Sequence, residues 1–311
     1  MKSLWVGLMI GFVVAFSACA AGNDSVTTTD ASSPSTSQLV TTTGESTPTT
    51  SASPPITTPP TTALHATSVM PARTDVKVYL LRDERLTIVH RLVPGPAVLR
   101  GALTELLAGP TDAERADGLV SEVPPGTELL DVDLAEGLAT VDLTSNFESG
   151  GGSLSMMARI AQVVFTVTQF DNADRALFWM EGQPIEFLGG EGIVLDEPQA
   201  RLDVDQALSG SVIIDTPAYG ATVSSPFTVT GEGDVYEGQF PIEVWADGVQ
   251  IGGIAPVTAG AWGTWASFDV TVTLDALTGS IELIAYDPGG CGIDPECPPI
   301  IKTVVPLTFT Q

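Results

Sequence analysis

Residues 150–170 read GGGSLSMMARIAQVVFTVTQF, three glycines and a serine ahead of a long apolar run. Residues 138–147, LATVDLTSNF, alternate like a strand just before it. Strand, glycine-rich turn and helix is also the order in which nucleotide-binding loops are built. A Walker loop needs Gly-Lys-Ser/Thr, and this turn has no lysine; a dinucleotide turn needs G-x-G-x-x-G, and Gly152 is followed by Ser-Leu-Ser-Met. The helix is apolar almost all round, with Arg159, Gln162, Thr166 and Gln169 in one stripe, the pattern of a helix buried on most sides. The turn therefore reads as structural in preference to an anion site. Its glycines give tight backbone, and Ser153 or Ser155 is the expected N-cap.

Upstream, VKVYLL (76–81) and LTIVHRLV (86–93) flank Arg82-Asp83-Glu84-Arg85 as a hairpin. VLRGALTELLA (98–108) repeats Leu99, Leu103, Leu106 and Leu107 at helical spacing and is stopped by Gly109-Pro110. A second hairpin turns at Glu136-Gly137. It puts Val132 and Leu134 on one face with Ala139 and Val141, and Asp131, Asp133, Thr140 and Asp142 on the other. A third turns at Glu181-Gly182-Gln183. Hairpin, helix, hairpin, helix, hairpin implies two related β-β-α units on one mainly antiparallel sheet, an α+β domain over residues 75–205 with its helices on one face.

From Ser211 helical spacing disappears. SVIID, ATVSS, FTVTGEG, PIEVWAD, VQIGGIAPVTA, WASFDVTVTL, GSIELIAYD and IIKTVVPLTF follow at short intervals, separated by turn signals such as Asp247-Gly248 and Thr278-Gly279. This spacing predicts an all-β sandwich over 210–311.

The stretch GPTDAERADGLVSEVPPGTELLDVDLAEGLATVDLTSNFESGGGSLSMMARIAQVVFTVTQF, continued through Gly189-Gly190-Glu191-Gly192-Ile-Val-Leu-Asp-Glu-Pro and Arg201, resembles the GerMN domain, the sporulation and spore germination domain named after GerM. IIDTPAYGATVSSPFTVTGEGDVYEGQFPIEVW resembles the immunoglobulin-like domain of bacterial spore germination. The first resemblance implies an extracytoplasmic α+β module of spore formers and actinobacterial lipoproteins, and it carries over no catalytic residues. The cysteine loop near the end departs from the shorter ending expected of the second family.

The N-terminal MKSLWVGLMIGFVVAFSACAAG has Lys2, an apolar run from Leu4 to Phe16, then Phe16-Ser17-Ala18-Cys19. That run suits a signal peptide over residues 1–19. Its end resembles the lipobox of bacterial lipoproteins, with Phe16 where Leu is usual, and the resemblance implies lipid attachment at Cys19. Residues 20–73 are dominated by Ser, Thr and Pro, with no periodic apolar set, and read as a disordered stalk. A flexible chain of that length spans roughly 40 Å on average. The other two cysteines, Cys291 and Cys297, sit in a Gly/Pro-rich loop. In an exported chain they are expected to form a disulfide worth about 2 kcal/mol; half a zinc site is the rival, without a second ligand pair.

The 311 residues carry a net charge of −26 and a pI near 4.1. Such acidity excludes a nucleic-acid partner, which needs clustered Lys and Arg, and direct adhesion to anionic headgroups; the lipid alone would meet the membrane. His65 lies in the stalk and His90 in a strand whose domain has no cysteine, so a nucleophile–base site would rest on His90 alone. It reads as an ordinary strand residue. Asp131 and Asp142 are expected opposite each other with Asp133 beside them, either a solvated face or a Ca²⁺ site. Trp262 and Trp265 either pack in the core, the favoured reading, or stack on sugar rings.

These readings converge on a non-enzymatic, cofactor-free lipoprotein at the extracytoplasmic face of a bacterial membrane, with two modules that bind cell-wall polymer or another envelope protein. A link to sporulation or germination rests on the resemblance. A cell-wall hydrolase or its activator would need a convergent carboxylate pair, and a small-ligand or cation sensor a closed pocket between the domains.

Overall fold

The polar stripe of the 153–167 helix decides how the first module is assembled. In the computed structural model, which describes residues 72–190, 192–275, 277–289 and 300–310, strands β1 (Arg73–Arg82) and β2 (Arg85–Pro94) form an antiparallel hairpin through Asp83-Glu84. Helix α1 (Val98–Ala108) ends at Gly109 and buries Ala102, Leu103 and Leu106. A short helix α2 (Asp112–Ala116) follows, opened by a capping box between Thr111 and Glu114. Strands β3 (Leu129–Ala135) and β4 (Gly137–Leu143) pair antiparallel, with Asp131 opposite Asp142 and Val132 opposite Val141. Helix α3 (Ser153–Val167) leads to β5 (Ala173–Met180), which runs parallel to β4 and turns at Glu181-Gly182 into β6 (Gln183–Pro184). A small pair, β7 (Phe187–Leu188) with β8 (Ile193–Val194), closes the module.

The expected single sheet is instead three: the β1–β2 hairpin, a four-stranded sheet ordered β3-β4-β5-β6, and the small β7–β8 pair. The reason is α3. The free edge of β1 offers the backbone groups of Lys77 and Tyr79, and polar side chains of α3 and of Gln169, in the turn just after it, take them. Gln169 accepts from the Lys77 N–H at 2.7 Å and donates to the Lys77 carbonyl at 2.6 Å. Thr166 accepts from the Tyr79 N–H at 3.3 Å, and Gln162 donates to the Tyr79 carbonyl at 2.9 Å. At Lys77 and Tyr79 the edge is thus satisfied by side chains where a neighbouring strand would otherwise sit, and at Leu81 by a backbone bridge to Val120. The helix then packs two ways. Ile160, Val163, Val164 and Val167 join Val78, Leu80, Val141 and Phe178 in one core. Ala158, Ala161 and Phe165 join Tyr79, Leu81 and Ile88 in another.

Helix α4 (Gln206–Ser209), capped by Asp205, leads into the second module. Its strands are β9 (Val212–Thr216), β10 (Thr222–Val223), β11 (Phe227–Val235), β12 (Gln239–Ala246), β13 (Val249–Thr258), β14 (Gly260–Ala261), β15 (Ala266–Val272), β16 (Gly279–Tyr286) and β17 (Lys302–Phe309). They form a five-stranded sheet β10-β17-β16-β12-β13 and a second sheet in which β11 is flanked by β15 and β9 and touched by β14. Phe227, Val229, Phe240, Val244, Leu283 and Phe309 fill the space between them, the sandwich that the strand spacing predicts. Ala66–Gln311 is one compact unit, and Leu208 and Ile213 join the Tyr79–Phe165 core, so the modules share apolar packing. The expected signal peptide, Cys19, stalk, His65 and Cys291–Cys297 bridge lie outside the described residues.

Candidate functional site

Where the modules meet, charge is concentrated. Lys77 of β1 and His90 of β2 are register partners in the hairpin. Asp215 of β9 and Glu232 of β11 face them. The β9–β11 register skips Asp215 at a bulge, the device by which a strand re-aims one side chain. Lys77 Nζ lies 2.7 Å from Glu232 Oε1 and 3.1 Å from Asp215 Oδ2. His90 Nε2 meets Asp215 at 2.5 Å and Nδ1 meets Asp75 at 2.8 Å. Arg201, from the short turn after the first module, pairs with Glu232 and donates to Thr168 Oγ1 at 2.8 Å. Its guanidinium also lies over the Phe165 ring, 4.7 Å from the centroid. The Tyr79 hydroxyl donates to Glu232 at 3.3 Å.

The titration of these groups follows from the geometry. The hydrogen bond to Asp215, against a smaller pull from burial, raises His90 to about 9. Burial pushes the Glu232 carboxyl upward, but Arg201 and Lys77 outweigh it and hold the group below its ordinary value. Asp215 is likewise low, burial being outweighed by His90 and Lys77. Lys77 is raised: burial works against its charge, and the two carboxylates win. Burial, with the Glu232 charge, pushes the Tyr79 phenol well above its usual range. Lys77, His90, Asp215 and Glu232 are each held in the charged form at neutral pH and paired with one another, so the cluster joins the modules.

Beside this junction lies an open groove of about 370 Å³. The first module contributes Phe170, Asp171 and Asp174, the second Thr264 and Trp265. Trp262, next in sequence to the groove residue Gly263, is 72% exposed and packs on Tyr236, ring centroids 4.9 Å apart.

Residues 77–186 match the sequence profile of the sporulation and spore germination domain, and residues 211–291 that of the immunoglobulin-like domain of bacterial spore germination. The two modules are a GerMN domain and a spore-germination immunoglobulin-like domain. Three solved structures are similar. The first GerMN domain of the sporulation protein GerM from Bacillus subtilis is 22% identical over 42% of this chain and 99% of that one, at TM-score 0.35. A Clostridium perfringens protein assigned by its name as a lipoprotein is 20% identical over 44% and 93%, at 0.33. The tandem GerMN domains of the Bacillus subtilis protein are 16% identical over 65% and 61%, at 0.36. No curated protein matches the chain.

In the GerMN domain the glycine run surrounds a guanidinium. Arg159 donates to the carbonyls of Phe147, Ser149 and Gly150, and to Ser155 Oγ at 3.0 Å. A phosphate cradle would aim N–H groups inward; this loop aims carbonyls. The expected serine N-cap is replaced by Gly152, which makes no side-chain cap bond, while Ser155 joins Glu122 and Arg159. The aspartate face forms as expected, but Asp131 pairs with Arg100 and Asp142 accepts from the Gly182 N–H at 3.0 Å. Among the described residues no group of three or more His, Cys, Asp or Glu is placed to hold a metal ion. The two tryptophans part company: Trp262 is exposed, while half-buried Trp265 meets Phe165 edge-on at 5.2 Å. His90 is a strand residue as expected, yet it bridges the modules.

Sequence reasoning missed Lys77, Asp215 and Glu232. The visible signal for Glu232 is its place between Gly231 and Gly233; it otherwise shares the polar register of Thr228, Thr230 and Asp234 in β11 and does not break the alternation. Its partners stand far away in sequence.

Proposed function

We propose that the protein is a non-enzymatic binding protein of the cell envelope. A lipidated Cys19 would hold it at the outer face of the membrane, and the GerMN and immunoglobulin-like domains would be presented as one rigid head to cell-wall polymer or another envelope protein. The observation that carries this reading is the closed ionic junction of Lys77, Arg201, Asp215 and Glu232. Independent binding modules on a chain move by default; these are fastened by buried charge and a shared apolar core. The carboxylates that converge here are ion-paired and His90 is held protonated near neutral pH, which favours binding over hydrolysis. The two domain families, both of bacterial sporulation and germination, support an extracytoplasmic site of action.

The test is co-sedimentation of the full-length protein, extracted in detergent, with purified cell wall, paired with mass spectrometry of its mature N-terminus. Saturable pelleting and an acylated Cys19 support the proposal. An unmodified start after Cys19 removes the anchor, and neither pelleting nor a crosslinked envelope protein in intact cells removes the binding role.

A further inference from the structure

Trp262 combines two features that folding alone does not reward. It is among the most exposed large side chains described, at 72%, and its backbone sits in the left-handed region at φ +55°, unfavourable for a bulky residue. The residue after it and its ring partner are nonetheless pinned: the Gly263 N–H donates to Asp234 and the Tyr236 N–H to Asp287, each at 2.9 Å. The indole is therefore held outward on a fixed ledge. Gly263 is shared with the groove at the domain junction, where Asp171, Asp174, Thr264 and Trp265 add carboxylates, a hydroxyl and a second indole.

We infer that the ledge and groove bind one strand of a glycan, with a pyranose ring on Trp262 and the hydroxyls of neighbouring sugars meeting Asp171 and Asp174. A sugar ring offers an apolar C–H face and a hydrogen-bonding rim, and the site offers an aromatic face beside acceptors. The volume lies in the range of about 300–1,000 Å³ usual for small-ligand clefts. Charge selects among envelope polymers. The chain carries −26, and Arg201, the cation in the groove, is already paired with Glu232. A polyphosphate would be repelled, whereas a glycan of low charge would not. A protein partner is disfavoured because the ledge is one aromatic pair and the groove interleaves Asp171, Asp174 and Thr264 with Phe170, Leu202 and Trp265, without a broad continuous apolar patch. The inference rests on the proposed envelope-binding function and names its ligand class.

The experiment uses the full-length protein in detergent, with purified cell wall for pelleting and a soluble N-acetylglucosamine tetramer for fluorescence titration. W262A and D171N/D174N are expected to weaken pelleting at least tenfold with melting temperature unchanged, while W262Y keeps it. The tetramer is expected to blue-shift the emission of the wild type and not of W262F. Should W262A and D171N/D174N pellet like the wild type, the glycan site is overturned and wall binding stands. Should the wild type fail to pellet while W262A abolishes a crosslink to an envelope protein, the ledge is a protein contact and the glycan inference falls. Absence of both pelleting and crosslinking removes the binding function itself.

Discussion

Lys77 of the GerMN domain and Glu232 of the immunoglobulin-like domain meet across the domain junction, Nζ to Oε1 at 2.7 Å. Glu232 also receives Arg201 and the Tyr79 hydroxyl, with only 10% of its side chain exposed. Removing the carboxylate leaves Arg201 without its carboxylate partner and Lys77 with Asp215 alone in a low-dielectric junction, a loss of about 3 kcal/mol. E232A is expected to split one thermal transition into two as the domains uncouple, read by calorimetry. Replacing Glu232 together with both of its cations, in K77M/R201M/E232L, leaves Asp215 paired with His90 and is expected to recover most of the loss, because desolvation of these three charges then no longer opposes packing. Equal instability of the triple variant would mean that the charges themselves hold the junction.

The same cluster sets a pH window. His90 lies at about 9, above its ordinary 6.5, so its contribution is complete below pH 6.5 and is lost as pH rises through about 9. Asp215 and Glu232 are held below their ordinary 3.8 and 4.5, so theirs is complete above those values and is lost as pH falls. The junction is tightest between about pH 4.5 and 6.5. The imidazole is 43% exposed, and solvent screening limits its share to about 1 kcal/mol. The stability difference between wild type and H90Q, measured by urea unfolding, should be about 1 kcal/mol at pH 6 and near zero at pH 10. A difference constant across that range would mean that the ring is held neutral.

The glycine run gives a graded test of the loop that wraps Arg159. Gly152 has an ordinary φ of −108°, and the space a methyl group would take there is open, with no neighbour within 4 Å. Gly150 has φ +60° and open space, whereas Gly151 has φ +79° and a methyl there would fall 2.5 Å from Ser155 Oγ and 2.8 Å from Arg159 Nη2. G152A should be neutral within about 0.5 kcal/mol, G150A should lose about 1 kcal/mol, and G151A should lose more. Urea denaturation that ranks the three in any other order would refute the arginine-centred account of the turn.

Local pattern carried much of the fold. Alternation and the Glu136-Gly137 turn suffice to place Asp131 opposite Asp142, because a short hairpin has one register that buries Val132, Val141 and Ala139. The end of α1 at Gly109 and the strands of the sandwich follow from equally local signals. What local pattern misses is whatever depends on distant partners. The β1–β2 hairpin stays apart from the β3–β6 sheet because side chains of α3 and of the turn after it occupy the β1 edge, and Lys77 and Gln169 are 92 residues apart. The junction pairs Lys77 with Glu232 across 155 residues, and neither residue looks unusual without the other. Trp262 and Trp265 share one short motif, yet a left-handed turn at Trp262 sends the first outward while the second meets Phe165.

The stripe on α3 gives the last prediction. Gln162 is fully buried; it donates to the Tyr79 carbonyl at 2.9 Å and accepts from the Glu122 N–H at 2.9 Å. Gln162→Leu preserves the size of the side chain and its helix propensity, so the change isolates those bonds. It leaves the buried Tyr79 carbonyl and the half-buried Glu122 N–H without this partner, a penalty of about 2 kcal/mol after the gain from the added apolar surface. Thr166→Val removes one acceptor, from the Tyr79 N–H at 3.3 Å, and should lose about 1 kcal/mol. Hydrogen exchange separates this from a general loss of packing: the Tyr79 amide should lose protection in Thr166→Val ahead of the amide of Val78, which lies on the same strand but is held within the hairpin. Equal acceleration of both amides would mean that α3 supports β1 only by apolar contact, and that the polar stripe does not seal the edge.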